Sequence, residues 1–360
     1  MRIAFLSSST GWGGLERNLI RYAQWMVECG HEVEVNCVQG SPLAESASAT
    51  TLNIRHIPRQ HRHLPFTAAR RLRRHLEHTQ TDIVWIRDPR DLPLCSHAIR
   101  NSGADLVFHQ GMQILQPKTK PWHRVRYKHV SRWIAPLRHL RDEALANTPL
   151  RPEQVEVIPL ALEANWFSTP KSPEARAMWS LPVDAKIVGL FGRIDPLKGH
   201  DTLIRALAEA APEWHALIVG ENTPNAGQDY RTECQKLAES LGVTDRVHWH
   251  PPTEELLSAY DACDAYAMCS TSETFGMVTI EALARSVPVV GTEAGGTPEL
   301  LGHGTHGTLF KPGDWEALAD ALQRLDALPM AGEAHVQHFT KEHALKRWSK
   351  TLAAIRASAS

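Results

Sequence analysis

The sequence lacks any apolar run approaching the ~18 residues that a membrane-crossing helix needs. Its amino-terminal Ile3–Leu6 run is too short for a signal-peptide core and passes straight into a Ser/Gly loop. The chain has only six cysteines in 360 residues, with no C-x-x-C pair and no tight framework. That pattern excludes a small disulfide scaffold and fits a reducing, cytoplasmic compartment. Neither D-x-D nor H-E-x-x-H occurs, and pairs such as His61/His63 read as exposed polar residues, so no metal and no cofactor are expected. The net charge is only -1, hydrophobic residues are 42% and charged residues 22%. Disorder and collagen-like repeats are thereby excluded, and the length predicts two domains.

The near-zero charge hides an asymmetry. Residues 1–165 hold 22 Lys and Arg against 15 Asp and Glu, a net of +7, and the remainder nets -8. A basic half suits an anionic acceptor or an anionic membrane surface; no nucleic-acid module is visible.

Apolar runs alternate with helical periodicity along the chain. Ile3–Leu6 reads as a strand, followed by a glycine loop, a helix through Met26 that stops at Gly30, and a strand over Glu32–Val38. Ile83–Ile86, Leu106–Phe108 and Val155–Pro159 read as further strands, with a basic helix at 67–77. A second series begins at Lys186 and repeats the alternation: strands at 215–219, 247–250, 264–268 and 287–290, and helices near 200–211, 229–241, 254–262 and 279–286. Strand–helix alternation in both halves predicts two doubly wound parallel sheets, joined through the proline-interrupted stretch 160–182. The segment 333–357 reads as one final helix.

Four loops carry chemistry-bearing residues. Glu273-Thr-Phe-Gly-Met-Val-Thr-Ile-Glu281 sets two carboxylates around a helix start, with Glu281 expected in the first turn. Gly276 permits close backbone approach, and free N–H groups there suit an anion. Phe191-Gly-Arg193-Ile-Asp-Pro-Leu-Lys198-Gly follows a buried-looking strand and places two cations where a diphosphate leaving group would need them. Gly11-Trp-Gly13-Gly14-Leu-Glu16 follows the first strand but is not G-x-G-x-x-G, and no acid ends the next strand, so a nicotinamide or flavin site is weakly supported. Gly295-Gly296-Thr297-Pro298 has helix-start chemistry with Thr297 as the expected cap. On the basic half, Lys118, Lys120, Arg124, Arg126, Lys128 and Arg132 interleave with Trp122, Tyr127 and Trp133, offering cations for phosphates or uronates and aromatic faces for sugar rings.

These motifs, in this order, resemble the family-4 retaining glycosyltransferases of the GT-B fold. The resemblance rests on GGLER with GHEV, VGLFGRIDPLKG, and ETFGMVTIEALARSVPVVGTEAGGTPELL. It implies two Rossmann-like domains facing across a cleft: 1–165 for the acceptor, 166–340 for the nucleotide sugar, and 341–360 as a helix packing back on the first. It implies metal-independent transfer of a hexosyl group with front-side attack, from a UDP-sugar first and a GDP-sugar second, to a glycan, glycolipid or other anionic acceptor. Arg193 and Lys198 match the diphosphate-binding pair, Glu273 the glutamate on the donor sugar, and Glu281 the ribose-binding glutamate. Gly13, Gly14, Gly192, Thr274, Phe275, Gly276, Met277 and Val278 match the donor loops, and His109 looks like the histidine near the donor sugar. Trp12, Gln110, Lys118, Lys120, Arg124 and Tyr127 are the acceptor candidates. Ser286 stands where the family usually has glycine, a departure expected to affect packing more than chemistry. A nucleotide-sugar epimerase, a sugar phosphorylase and a non-catalytic nucleotide-sugar-binding module are the alternatives, and the basic half is also expected to make peripheral contact with the inner membrane face.

Overall fold

The computed structural model describes residues 1–59, 66–223, 229–253 and 255–359; His61 and His63 lie outside the described residues. The chain divides into two compact units, unit 1 comprising residues 1–159 and 345–360 and unit 2 residues 160–344.

Unit 1 is built on a parallel seven-stranded sheet in the order β3-β2-β1-β4-β5-β6-β7. Its strands are β1 (Arg2–Ser7), β2 (Glu32–Val38), β3 (Asn53–Ile57), β4 (Ile83–Ile86), β5 (Asp105–His109), β6 (Val130–Ala135) and β7 (Val155–Val157). Between them run α1 (Gly14–Glu28), α2 (Pro42–Ser48), α3 (Phe66–His78), α4 (Leu92–Ala98), α5 (Pro121–Tyr127) and α6 (Arg138–Asn147). The near-continuous apolar strands are what a parallel sheet covered on both faces requires. Phe5 stacks on Trp85 at 4.9 Å and Phe108 on Trp133 at 3.9 Å within that core.

Unit 2 repeats the architecture with six parallel strands in the order β10-β9-β8-β11-β12-β13. They are β8 (Lys186–Phe191), β9 (Trp214–Val219), β10 (Val247–His250), β11 (Ala265–Met268), β12 (Val289–Thr292) and β13 (Thr308–Phe310). Short α7 (Asn165–Ser168) and α8 (Ala175–Met178) precede β8. The others are α9 (His200–Glu209), α10 (Tyr230–Ser240), α11 (Leu256–Asp261), α12 (Met277–Ala284), α13 (Thr297–Leu300), α14 (Trp315–Gln323) and α15 (Glu333–Val336). Leu190, Leu203, Leu207, Trp214 and Ile218 lie at the centre of its core.

The final helix expected over 333–357 is broken. After α15 the chain passes through a short 3-10 turn and an extended Thr340, and α16 runs from Lys341 to Ala359. Thr340 Oγ1 accepts from His343 N, the cap that restarts the helix. The strand expected at 287–290 begins two residues later. Ser286 there sits at φ 51°, with Ser286 N donating to Leu283 O and Val287 N to Ala282 O. That is a Schellman end to α12, whose left-handed position usually takes glycine. β3, β6 and β13 are strands that local periodicity did not mark.

Candidate functional site

In unit 2 the chain leaves β8 in one direction toward β9 and later returns on its other side as β11. The carboxyl ends of strands at such a reversal are where open parallel sheets seat ligands. The loop after β8 carries Gly192, Arg193 and Lys198, and the loop after β11 carries Glu273 and Thr274. Lys198 Nζ lies 2.6 Å from Glu273 Oε2, with the two side chains 21% and 15% exposed. The pair is thus partly shielded from water, where opposite charges attract more strongly than at an open surface.

Backbone contacts fix this arrangement. A Cβ on Gly295, at φ 55°, would lie 1.9 Å from the carbonyl oxygen of Glu273. One on Gly199, at φ 69°, would lie 2.3 Å from that of Cys269. Only glycine admits both the left-handed backbone and the approach. Gly296 N donates to Glu273 O at 2.9 Å, tying the loop after β12 to the loop after β11. The Asp195 carboxylate accepts from Leu197 N at 3.0 Å and Thr223 Oγ1 at 3.1 Å, which shapes the loop after β8. Arg193 extends outward, 64% exposed and 3.9 Å from Asp195.

Gly276, at φ 94°, precedes α12, so the first N–H groups of Met277 and Val278 open beside Glu273. Phe275 is buried and packs edge-on to Phe339 at 6.5 Å, so its ring anchors the loop from behind. Glu281 is the fifth residue of α12, in its second turn and not the first. It is buried, with Oε2 2.9 Å from the Tyr260 hydroxyl, which also lies 3.1 Å from Val278 O. Burial and the adjacent carboxylate hold the Tyr260 phenol well above its usual pKa, so it stays a neutral donor. Thr297, expected as a cap, is the first residue of α13, and Gly296 occupies the cap position.

In unit 1 the predicted residues separate. Gly13 precedes α1 in extended conformation and Gly14 begins that helix. Trp12 is 42% exposed, with the Arg17 guanidinium 5.6 Å from its ring. His109 has no exposed surface; it lies among Tyr22, Trp85 and Trp348. Its Nδ1 is 2.6 Å from Arg87 Nη1 and therefore accepts, and burial beside that cation holds the imidazole far below its usual pKa. Gln110 is buried, accepting from Trp133 Nε1 at 2.8 Å and donating to Met112 O at 3.0 Å, so its amide is spent inside the fold. Tyr127 and Trp133 are also buried, contrary to the expectation of surface aromatic faces; Trp122 alone of that set is exposed, beside Lys120 at 5.1 Å. Lys118 and Tyr127 line a cavity, whereas Lys120 and Arg124 do not.

The sequence reading missed Arg87 and Tyr260. Arg87 directly follows strand β4, one residue nearer its strand than Arg193 is to β8. Tyr260 lies 21 residues from Glu281 with no local motif. Among the described residues, no group of three or more His, Cys, Asp or Glu is placed to hold a metal ion.

Two doubly wound parallel-sheet units of this kind make the GT-B fold. HepE of Anabaena, solved with UDP, superposes with a TM-score of 0.84 at 24% identity, covering 98% of this chain and 100% of that one. A glycosyltransferase from Rickettsia africae superposes at 0.87 with 18% identity, covering 98% of each chain. Residues 12–165 match the family model for Glycosyltransferase Family 4, and residues 171–338 that for glycosyl transferases group 1. The D-inositol 3-phosphate glycosyltransferase of Mycolicibacterium smegmatis is 34% identical over 235 residues, 60% of this chain and 52% of the relative. The chain spans about half the length of the curated relatives it matches. With the two models covering nearly its whole length in order, the chain belongs to the family-4 glycosyltransferases of the GT-B fold.

Proposed function

We propose that the protein is a retaining hexosyltransferase that uses a nucleoside diphosphate sugar, UDP-linked first and GDP-linked second, and a hydroxyl acceptor on a glycan, glycolipid or anionic sugar. The observation that carries this reading is the Lys198–Glu273 pair at the reversal in unit 2, beside the start of α12. A cation and open helix N–H groups suit a diphosphate, and a carboxylate suits the vicinal hydroxyls of a hexose. Buried Glu281, oriented by Tyr260, takes the ribose hydroxyls. HepE, solved with UDP-glucose as well as UDP, and relatives named as inositol phosphate glycosyltransferases support the donor class and an acceptor with a phosphate.

In this reading the bond between the anomeric carbon and the phosphate oxygen breaks while the acceptor oxygen attacks on the same face. The acceptor proton passes to the departing phosphate, whose charge Arg193, Lys198 and the α12 start stabilise. Among the described residues no helix is long and apolar enough to cross a membrane.

A thermal-shift titration with UDP, GDP, ADP and CMP tests the reading. One diphosphate at ~100 Kd should stabilise the protein by about 2.7 kcal/mol, and Glu281→Ala and Arg193→Ala should weaken that shift. Glu273→Gln should lower kcat by about 100-fold, and the product should keep the donor's anomeric configuration by NMR. No shift with any nucleotide would overturn the donor assignment, and an inverted product would overturn retention.

A further inference from the structure

The loop of unit 2 that carries Glu273 and Phe275 is backed by residues the proposed reaction does not use. His335 on α15 stacks on His306, with ring centres 3.8 Å apart. Its Nε2 lies 2.7 Å from Leu300 O and therefore donates. Gly302, at φ 56°, leaves room for this packing, since a Cβ there would lie 2.6 Å from His306 Cδ2. Burial, opposed by the Leu300 carbonyl and aided by His306 and His338, holds the His335 imidazole below its usual pKa. At neutral pH it is thus an uncharged ring whose one proton is given to Leu300.

Two routes of contact run from this imidazole to the same loop. The first passes through rings: His335 meets Phe339 edge-on at 5.3 Å, and Phe339 meets Phe275 edge-on at 6.5 Å. Phe339 and Phe275 are both buried, so neither ring can shift without opening a gap in close packing. The second route passes through α13. His335 holds the carbonyl of Leu300, the last residue of that helix, and the Leu300 side chain backs Gly276. A Cβ on Gly276 would lie 3.4 Å from Leu300 Cδ1. At the other end of α13 the cap residue Gly296 already holds Glu273 O. The routes therefore end on Phe275 and Gly276, adjacent residues between Glu273 and the start of α12.

We propose that His335 is a positioning residue for the donor sugar: through Phe339 and Leu300 it fixes Phe275 and Gly276, and so sets where the Glu273 carboxylate meets the hexose hydroxyls. The proposal deepens the transferase reading above and rests on it for the sugar, while the two contact routes stand without it.

The test is hydrogen exchange of the full chain by mass spectrometry, beside calorimetry with UDP-glucose and UDP. His335→Ala should speed exchange of the amides of residues 274–278 about tenfold and weaken UDP-glucose binding about tenfold. UDP should weaken much less, since Glu281, assigned to the ribose, is held by Tyr260. His335→Gln keeps a side-chain N–H for Leu300 O and should recover part of both losses. Phe339→Leu stays apolar but removes the ring contact with Phe275, and should reproduce the His335→Ala pattern. His338→Gln, at an exposed position on the same turn, should match the unaltered protein. If His335→Ala does not fold, His335→Gln, which loses the ring route alone, replaces it in both comparisons. Unchanged exchange at 274–278 in the His335 and Phe339 variants would overturn the proposal. Equal losses of UDP-glucose and UDP would reduce His335 to general packing and also overturn it. No nucleotide binding by the unaltered protein would overturn the transferase reading, and exchange at 274–278 would still judge the positioning.

Discussion

In unit 2, Arg285 lies 2.8 Å from Asp261 with both side chains 3% exposed, Arg176 lies 2.7 Å from Asp264, and Lys198 lies 2.6 Å from Glu273. In unit 1, Arg87 is just as deeply buried, yet among the described residues no carboxylate lies within ion-pair distance of it. Its hydrogen-bond partner is neutral His109, and loss of water pushes its pKa down to about 10. The most deeply buried arginine pair of unit 2 is therefore matched in charge, whereas buried Arg87 of unit 1 is held by a neutral ring. Removing one partner of a matched buried pair is strongly destabilising because it leaves an uncompensated buried charge, and an unmatched buried cation carries that cost already.

That contrast can be broken by substitution. Asp261→Ala strips the carboxylate from a buried arginine and should cost about 3–5 kcal/mol in chemical denaturation; a loss under ~1 kcal/mol would show that Arg285 is held mainly by the Trp166 and Thr169 carbonyls it also meets.

Next in size is a pH effect in unit 2. Burial lowers the His200 pKa from 6.5 to about 4. Between those values the unfolded chain binds a proton that the folded one does not. The stability from keeping His200 neutral is therefore full above pH ~6.5 and is lost as pH falls toward ~4, by about 3 kcal/mol. His200→Asn should flatten that stretch of the stability profile, and an unchanged slope would rule out His200 as its source.

A smaller effect compares backbone strain between the units. Ser286 in unit 2 and Asn101 in unit 1 both have left-handed backbones, at φ 51° and 62°. Asparagine tolerates that conformation and serine does so less well. Ser286→Gly should stabilise by about 0.5–1 kcal/mol, more than Asn101→Gly, with equal effects refuting a strain at Ser286. Smallest should be Arg87→Met, which removes an unmatched cation and should change stability by less than ~1 kcal/mol or raise it; a loss as large as that of Asp261→Ala would erase the comparison between the units.

What was legible in the sequence follows from the range of the signals. The strands β1, β4, β8 and β9 are short, mostly apolar runs with turn residues beside them, and buried parallel strands read that way locally. β6 was obscured because its Ser131 and Arg132 interrupt the apolar run within a basic stretch. The break at Thr340 was missed because 333–357 keeps helical spacing on both sides of it. Glu273 and Lys198 were each marked by their loops, but their contact spans 75 residues, and only the strand order brings the two loops together. The burial of Gln110 and Tyr127 was hidden for a related reason. Polar and aromatic residues near a strand end look alike in sequence whether they face a ligand or satisfy one another inside the core.

The last helix has a consequence for the order in which the protein is made. Trp348 on α16 is fully buried, packed at 3.9 Å against Trp85 and at 5.9 Å against Tyr22 in unit 1. A nascent chain therefore has every residue of unit 2 before it has every residue of unit 1. Domains ordinarily finish in the order they are synthesised, but here the first unit to begin is the last that can close. Until residue 348 has left the ribosome, the faces of Trp85 and Tyr22 that it covers remain uncovered. A message truncated near its end would thus release a chain with a finished second unit and an open first one.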